Sequence, residues 1–328
     1  MNIVITGVGG FVGRYLVQEL RNALGSRVHI NGITDIPVSP DIAEHLDNST
    51  VIDITNKTAL RDFLLPMQPD AIYHLAAQSS AALSLKKPVE TIQNNITGTL
   101  NVLDVVREDL HNHPRILNVG SAEVYGAPAD GSSIDENVPL CPLNPYAASK
   151  AAADYISFVY YKSFGVKAIR TRSFNHIGPG QSDMFVMSNF AKQIALIENG
   201  LQEAVLHTGN LQARRDFTDV RDVVRAYRML MESGDVGEAY NVCSGIGYPI
   251  GELLEILLHI DPKHSKNRIT IEQDIDRMRP AENPVLIGSN QKLKAKTGWE
   301  PKIPIETMLY ELLHYWREKV KREYSKCE

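Results

Sequence analysis

The sequence has few cysteines, no long apolar run and no surplus of basic residues. Its three cysteines, Cys141, Cys243 and Cys327, are widely spaced and form no CxxC or Cys/His cluster, so we expect neither disulfides nor a zinc site. No apolar run approaches the ~18 residues that suggest a membrane-spanning helix. A net charge of -5 offers no basic surplus for a nucleic-acid backbone. We therefore expect a protein of the reducing cytoplasm that binds neither nucleic acid nor membrane.

The remaining composition is that of an ordinary globular protein. The chain has 328 residues, of which 43% are hydrophobic and 22% charged. A chain of this length can bury a large core and suits one α/β domain with an appended lobe. A strand-like run begins at Asn2, which predicts that no secretory leader precedes it.

Short β-rich runs alternate with stretches of helical periodicity through the first half of the chain. The predicted strands are residues 2–6, 28–34, 51–52, 71–75, 116–119 and 168–172. Continuous apolar strands that are separated by helices predict a parallel sheet covered on both faces. The fold class is therefore α/β, a doubly wound Rossmann sheet. Residues 39–48 are predicted to form a polar loop.

After Asn175 the pattern breaks into loops, with helices predicted near 185–199, 250–260 and 305–322. Asp222 is predicted to cap a helix that returns to the sheet, and residues 240–242 to add a strand. We therefore predict a dinucleotide-binding domain of residues 1–175 plus about 219–243. Residues from about 176–218 plus 244–328 form the predicted substrate lobe.

A glycine-rich turn follows the first strand and opens a helix. Gly7, Gly10 and Gly13 carry the spacing typical of a dinucleotide pyrophosphate site, with Phe11 and Val12 between them. Asp35 follows the second strand, where a carboxylate can accept hydrogen bonds from ribose hydroxyls and repel a 2′-phosphate. These features favour NADH over NADPH. Two alternatives remain: Asp35 as a simple turn residue, and Arg14 as a phosphate ligand from across the turn.

The segment Tyr146-Ala-Ala-Ser-Lys150 places a tyrosine and a lysine on one face of a helix. A nearby ammonium favours the phenolate, so we expect Lys150 to lower the pKa of Tyr146 into the range of acid/base catalysis. Ser121 ends a strand whose carboxyl end faces the ligand crevice of such sheets. The alternative for the Tyr146–Lys150 spacing is an exposed helix pair without catalytic function.

Together these segments resemble the extended short-chain dehydrogenases/reductases, in the branch that acts on nucleotide-sugars. The resemblance spans essentially the whole chain and is carried by GVGGFVG at 7–13, HLAAQ at 74–78, NITGTLNVL at 95–103, SAEVYG at 121–126, YAASK at 146–150 and RSFNHIGPGQ at 172–181. It implies that Asp53 and Ile54 flank the adenine and that Leu75, Ala76 and Ala77 line the cofactor. Tyr146 and Lys150 are implied to reach the nicotinamide ribose. His74 by itself is more typical of a packed strand residue, and Asn95 of a backbone bridge.

The resemblance also implies a homodimer. The helix predicted from about residue 93 to 106 and the helix after Tyr146 resemble the halves of the family's intermolecular four-helix bundle.

Two arginine-bearing segments in the second lobe resemble those of GDP-mannose-modifying enzymes. Arg214 or Arg215, together with Arg279, can bind a diphosphate, and Glu282 can accept hydrogen bonds from the nucleotide ribose. Solvated surface arginines are the alternative. The resemblance adds Asn175 as a substrate residue, so the expected partner is a GDP-sugar.

The residues around Ser121 distinguish two reactions of this family. A 4,6-dehydratase needs a further acid/base set beside the tyrosine, whereas Ser121 is followed by Ala122, which cannot transfer a proton. Glu123 remains as a catalytic or substrate-binding candidate and keeps the dehydratase possible. We therefore expect a reductase that passes hydride from NADH or NADPH to C4 of GDP-4-keto-6-deoxy-D-mannose, giving GDP-D-rhamnose or its C4 epimer, without a metal. A nucleotide-sugar epimerase and a non-catalytic dinucleotide sensor are the alternatives.

Overall fold

The structure, a computed structural model, describes residues 1–127, 133–260, 269–275 and 283–324. The strands are β1 (Asn2–Thr6), β2 (His29–Thr34), β3 (Asn48–Val51), β4 (Ala71–His74), β5 (Arg115–Val119), β6 (Ala168–Ser173), β7 (Asn175–Ile177), β8 (Val205–Thr208), β9 (Arg214–Asp219), β10 (Ala239–Val242), β11 (Gly247–Pro249), β12 (Thr270–Gln273) and β13 (Val285–Leu286). The helices are α1 (Phe11–Leu24), α2 (Pro40–Ala43), α3 (Lys57–Met67), α4 (Ala81–Lys86), α5 (Pro88–Ile92), α6 (Gly98–Glu108), α7 (Pro145–Phe164), α8 (Val186–Glu198), α9 (Val220–Ser233), α10 (Ile250–His259), α11 (Gln291–Thr297) and α12 (Ile305–Tyr324). A π-helical turn, Gln93–Thr97, joins α5 to α6.

The central sheet is parallel throughout, with the strand order β10-β6-β5-β4-β1-β2-β3. The chain runs from β1 outward to β3, then returns and continues from β4 to the opposite edge. The order therefore reverses between β1 and β4, and such reversal points open a crevice at the carboxyl ends of the strands. The predicted doubly wound fold is confirmed.

Alternate strand residues supply two apolar cores, one on each face of this sheet. Ile3 and Ile5 point toward α1 and α9, whereas Val4 points toward α3 and α6. Each fully buried aliphatic side chain contributes roughly 1.5–3 kcal/mol. Both faces are covered, which explains why strands such as β1 and β4 consist mostly of apolar residues.

A further apolar core lies outside the central sheet. Helices α8, α10 and α12 contribute Phe190, Leu253 and Trp316 to it. Strand β9 runs beside this core and pairs with β7, β11 and β13. None of the described helices is both long and apolar enough to cross a lipid bilayer.

Two of the predicted local features differ from the structure. The third strand covers Asn48–Val51 instead of residues 51–52, and the predicted polar loop of residues 39–48 contains the short helix α2. Pro40 occupies the first helical turn, where its fixed φ and missing N–H are tolerated. At the sheet edge β3 pairs with β2 alone, so it does not need an apolar sequence.

The prediction that Asp222 caps the returning helix is also wrong. The cap of α9 is Asp219, whose side chain accepts a hydrogen bond from the Arg221 N–H. Asp222 lies in the first turn of the helix and is buried. One of its carboxylate oxygens accepts hydrogen bonds from the backbone N–H groups of Lys302 and Ile303. Its carboxylate therefore anchors the segment that precedes α12.

Candidate active site

A cleft of about 880 Å³ opens at the carboxyl ends of the parallel strands, where the strand order reverses. Its walls come from the turn after β1, the segments that follow β2, β4, β5 and β6, the first turn of α7 and part of α8. The cleft brings together residues that are far apart in the sequence. Most of the candidates from the sequence border it.

The glycine turn forms one wall and has room for glycine alone. Gly7 has a φ of +73°, and a Cβ there would lie 2.9 Å from the backbone nitrogen of Ala76. A Cβ on Gly13 would lie 2.4 Å from the carbonyl oxygen of Val8. Helix α1 follows Gly10, and no side chain caps its first turn. The N–H groups of this turn therefore suit a pyrophosphate group.

The residues predicted to hold a dinucleotide border the cleft, except for Lys150. They are Gly7, Gly10, Phe11, Val12, Gly13, Asp35, Asp53, Ile54, Leu75, Ala76, Ala77 and Tyr146. The Asp53 side chain accepts hydrogen bonds from the backbone and hydroxyl of Thr55. Arg14 does not border the cleft and pairs with Asp41. The described part of the cleft after β2 thus presents Asp35.

Tyr146 lies in the first turn of α7, where Asn144 caps the helix through the backbone N–H of Ala147. Burial raises the pKa of the Tyr146 phenol to about 12, a hydrogen bond with Ser121 opposes the rise, and the nearby Glu123 carboxylate adds to it. At neutral pH the phenol is therefore protonated. A protonated phenol beside a hydroxyl can donate a proton to a substrate oxygen.

Lys150 lies one turn after Tyr146 and is buried. Its Nζ donates a hydrogen bond to the carbonyl oxygen of Val119 at 2.8 Å, and burial lowers its pKa to about 8. The prediction that Lys150 lowers the pKa of Tyr146 is therefore wrong. The pKa of Tyr146 rises, because burial of the phenol is the dominant effect. The two side chains lie on one helix face, and the tyrosine borders the cleft.

The amide of Asn95 connects the π-helical turn to the loop after β4 and to α7. Its Oδ1 accepts a hydrogen bond from the Gln78 N–H, and its Nδ2 donates to the Gln78 carbonyl and to the Ser149 hydroxyl. The Ser149 hydroxyl in turn donates to the carbonyl oxygen of Tyr146. Asn95 therefore forms the backbone bridge that the sequence suggested, and it fixes the loop after β4 against α7.

His74 lies within the sheet. Its ring nitrogens contact the hydroxyls of Thr6 and Thr99, and burial lowers its pKa to about 3. The imidazole is therefore neutral at physiological pH and packs as a strand residue.

Glu123 borders the cleft close to Tyr146. Its carboxylate accepts a hydrogen bond from Asn144 Nδ2 at 2.9 Å, and its backbone N–H donates to the Ser121 hydroxyl. Ala122, between them, is buried in an apolar cluster. The loop after β5 thus presents one hydroxyl and one anchored carboxylate to the cleft.

The substrate candidates divide into three groups. Asn175 and Arg215 border the cleft. Arg214 does not, because neighbouring strand residues point to opposite faces, and its guanidinium donates to the Gly247 carbonyl. Arg279 and Glu282 lie outside the described residues.

Several cleft residues were not identified from the sequence. They are Ser173, His176, Gln181, Asn189 and Asn210. The first three lie within the motif RSFNHIGPGQ, which spans the end of β6, so its position at a strand end was an available signal. Asn189 lies on α8, and no local signal in the sequence marks it as a cleft residue.

Comparisons with known proteins agree with this geometry. The family profile described as GDP-mannose 4,6 dehydratase matches residues 4–312. GDP-6-deoxy-D-mannose reductase of Pseudomonas aeruginosa is 36% identical over 323 residues, covering 98% of this chain and 99% of its own. GDP-mannose 4,6 dehydratase 2 of Arabidopsis thaliana is 30% identical over 336 residues, covering 98% of this chain and 88% of its own.

Solved structures show the same similarity. RMD from Pseudomonas aeruginosa, complexed with NADPH, superposes with a TM-score of 0.83 at 36% identity and covers 97% of this chain and 99% of its own. dTDP-glucose 4,6-dehydratase from Bacillus anthracis, in complex with NAD, has a TM-score of 0.84 at 24% identity and covers 100% of both chains. The second likeness shows the fold alone.

Proposed function

The chain belongs to the GDP-mannose 4,6-dehydratase family of extended short-chain dehydrogenases/reductases, and from this premise we propose that it is an NAD(P)H-dependent reductase. It reduces the C4 ketone of GDP-4-keto-6-deoxy-D-mannose and yields GDP-D-rhamnose. The full-length identity of 36% to a GDP-6-deoxy-D-mannose reductase supports this reaction.

The loop after β5 is the observation that carries the choice of reduction over dehydration. Reduction of a ketone needs one proton donor, and Tyr146, with a pKa of about 12, is protonated at neutral pH. Dehydration needs further proton transfers at C5 and at the C6 oxygen. Ala122 cannot take part in them, because it carries no titratable group and is buried in the apolar cluster. Glu123 borders the cleft, which keeps dehydration as the second candidate.

In the proposed mechanism each site residue has one task. A bound NADH or NADPH would supply the hydride for C4 of the sugar. The glycine turn and the first turn of α1 would hold its pyrophosphate, and Lys150 would hold the nicotinamide ribose. Ser121 donates a hydrogen bond to the ketone oxygen. Tyr146 then gives its phenolic proton to that oxygen as negative charge develops on it.

We propose that NADH serves at least as well as NADPH. Asp35 borders the cleft and repels a 2′-phosphate, and Arg14 is held by Asp41 away from the cleft wall. The related Pseudomonas aeruginosa structure carries NADPH. A comparison of kcat/KM with the two cofactors tests the proposed preference.

The nucleotide-sugar is proposed to bind between the Rossmann domain, residues 1–175 plus about 219–243, and the lobe of residues 176–218 plus 244–328. Arg215 enters the cleft from β9, and Asn175 enters it from β7. A guanidinium can bind diphosphate oxygens with two parallel hydrogen bonds. Arg279 and Glu282 remain predicted ligands of the same nucleotide.

We further propose a homodimer that pairs α5–α6 and α7 with the same helices of a second copy. Helix α5 packs beside α7, and both expose apolar side chains to solvent. Val89 is 66% exposed on α5, and Tyr155 and Val159 are 54% and 50% exposed on α7. Burial of such a face in a four-helix bundle removes its apolar surface from water.

We also propose that the enzyme works in the cytoplasm. Cys141 and Cys243 are free cysteines, which fits a reducing compartment.

The decisive experiment supplies the purified enzyme with NADH and GDP-4-keto-6-deoxy-D-mannose and follows NADH absorbance. The expected result is NADH oxidation with formation of a GDP-6-deoxyhexose, whose C4 configuration is read by NMR. GDP-mannose without added reductant is the control substrate. Its efficient conversion to the 4-keto sugar would show that the enzyme is a dehydratase. Interconversion of two nucleotide-sugars without net NADH consumption would show an epimerase.

A further inference from the structure

A pair of hydroxyl groups lies below the cleft, on the side of the sheet covered by α9. Ser173 is the last residue of β6 and borders the cleft. Its Oγ lies 2.7 Å from the phenol oxygen of Tyr227, and Tyr227 is 0% exposed. The mechanism described above uses neither residue. A fully buried phenol that contacts a cleft hydroxyl has the geometry of an orienting group.

The donor direction of this pair follows from its neighbour Thr171. Thr171 lies two residues before Ser173 and therefore on the same face of β6. Its hydroxyl is buried near the Tyr227 phenol and has no hydrogen-bond partner among the described residues. A buried hydroxyl hydrogen requires an acceptor, and a rotation of the Thr171 hydroxyl toward the phenol oxygen would supply one. In that arrangement the phenol donates to Ser173, which leaves the Ser173 hydrogen for the cleft.

The register of the sheet places this donor at the reacting end of the cleft. Val119 of β5 pairs with Thr171 of β6, and Ser121 and Ser173 each lie two residues further along the chain. The two serines therefore lie at the same level, at the carboxyl ends of neighbouring strands. Neighbouring strands lie about 4.8 Å apart. The phenols of Tyr227 and Tyr146 are also close enough to interact electrostatically. Ser173 therefore lies beside the proton donor and far from Asp35, which borders the adenosine end.

We propose that Ser173, oriented by Tyr227, donates a hydrogen bond to the carboxamide oxygen of the bound nicotinamide. This inference rests on the proposed use of NAD(P)H. The ketone oxygen of the sugar already has Ser121 and Tyr146 as donors, whereas the carboxamide oxygen is a strong acceptor on the nicotinamide ring. The contact fixes the rotation of the ring. Ser173 is thus a cofactor-binding residue, and Tyr227 is a positioning residue.

Equilibrium binding of three reduced dinucleotides tests the contact without any sugar substrate. NADH and its 3-acetylpyridine analogue both carry a carbonyl oxygen, whereas the thionicotinamide analogue carries sulfur, a poorer acceptor. The Ser173→Ala variant should bind the two oxygen-bearing dinucleotides roughly three- to tenfold more weakly, the effect of one lost hydrogen bond. Its affinity for the thio analogue should change by less than about twofold, so the preference of the parent for oxygen disappears.

Two further variants separate orientation from folding. Tyr227→Phe should also reduce the parent's preference for the oxygen-bearing dinucleotides over the thio analogue. Ser173→Thr should restore this preference, because threonine keeps the hydroxyl. Ser157→Ala is the matched control, since Ser157 is a buried serine that hydrogen-bonds with Asn118 outside the cleft. This control should leave all three affinities unchanged.

Three results would overturn the proposal. One is that Ser173→Ala leaves all three affinities unchanged. Another is that it weakens all of them equally, which is the signature of a structural role. The third is that the parent binds the acetylpyridine analogue, which lacks the amide N–H, about tenfold more weakly than NADH while Ser173→Ala shows no such difference, because Ser173 would then be an acceptor. If the parent binds neither NADH nor NADPH, the proposed function itself fails.

Discussion

Replacement of Tyr146 by phenylalanine removes the proposed proton donor and leaves its surroundings in place. The ring remains, and so does the backbone carbonyl that accepts from Ser149. Lys150 donates to Val119 and not to the phenol, so its position does not depend on the lost hydroxyl. The only hydrogen bond that the structure assigns to the phenol among the described residues is the one with Ser121, at the cleft surface. The free energy of unfolding should therefore fall by no more than about 1 kcal/mol.

The effect on catalysis is expected to be much larger. General acid catalysis contributes about 10²–10⁴-fold, so kcat for ketone reduction should fall by that factor. Affinity for NADH, measured by fluorescence titration, should change by less than about threefold. Tyr125→Phe is a matched control, because Tyr125 is a buried phenol bonded to Asn241 outside the cleft. It should lower stability and leave kcat nearly unchanged. Turnover of Tyr146→Phe within about threefold of the parent would refute the mechanism and make Glu123 the first alternative acid.

Three further predictions concern the cofactor, the pH dependence and the assembly. Asp35→Ala should raise kcat/KM with NADPH relative to NADH; a parent enzyme that already prefers NADPH strongly would contradict the role of Asp35. With its pKa lowered from 10.5 to about 8, Lys150 loses its charge as the pH rises through about 8. The affinity for NADH should decline as the pH rises through about 8. The free energy of unfolding of the free protein should rise between pH 8 and 10.5, because the unfolded chain binds the Lys150 proton there and the folded protein does not. The affinity of Lys150→Arg for NADH should stay constant over the same pH interval. Light scattering should give a dimer for the parent and a monomer for Val159→Glu, and a monomeric parent would exclude the four-helix bundle.

The central strands could be predicted because local sequence alone determines their character. β1 and β4 are covered on both faces and therefore consist mostly of apolar residues. Edge strand β3 has the sequence Asn-Ser-Thr-Val and is mostly exposed, so no apolar pattern reveals its start. The cap of α9 was misplaced because Asp219 and Asp222 are both plausible caps in sequence. Only the packing of residues 302–303 against α9 distinguishes them.

The candidate site also has features that the sequence could predict and features that it could not. Ser121 and Tyr146 could be found because one ends a strand and the other has a lysine at helical spacing. The pKa of Tyr146 could not be predicted, since it depends on burial by segments far away in the chain. Ser173 lies at the end of β6, which was a signal in the sequence, but its exposure to the cleft also depends on how β6 pairs with β5 and β10.

The π-helical turn Gln93–Thr97 determines how the chain would respond to the deletion of one residue. A π turn accommodates one residue more than a regular α-helical turn, and here that turn carries the bridging Asn95. An in-frame deletion of one codon in this turn could be absorbed as an ordinary α-helix, so the core face of α6 would keep its register. Asn95 would lose its reach to Gln78 and Ser149. Such a deletion should yield a folded protein in which the loop after β4 is no longer tied to α7.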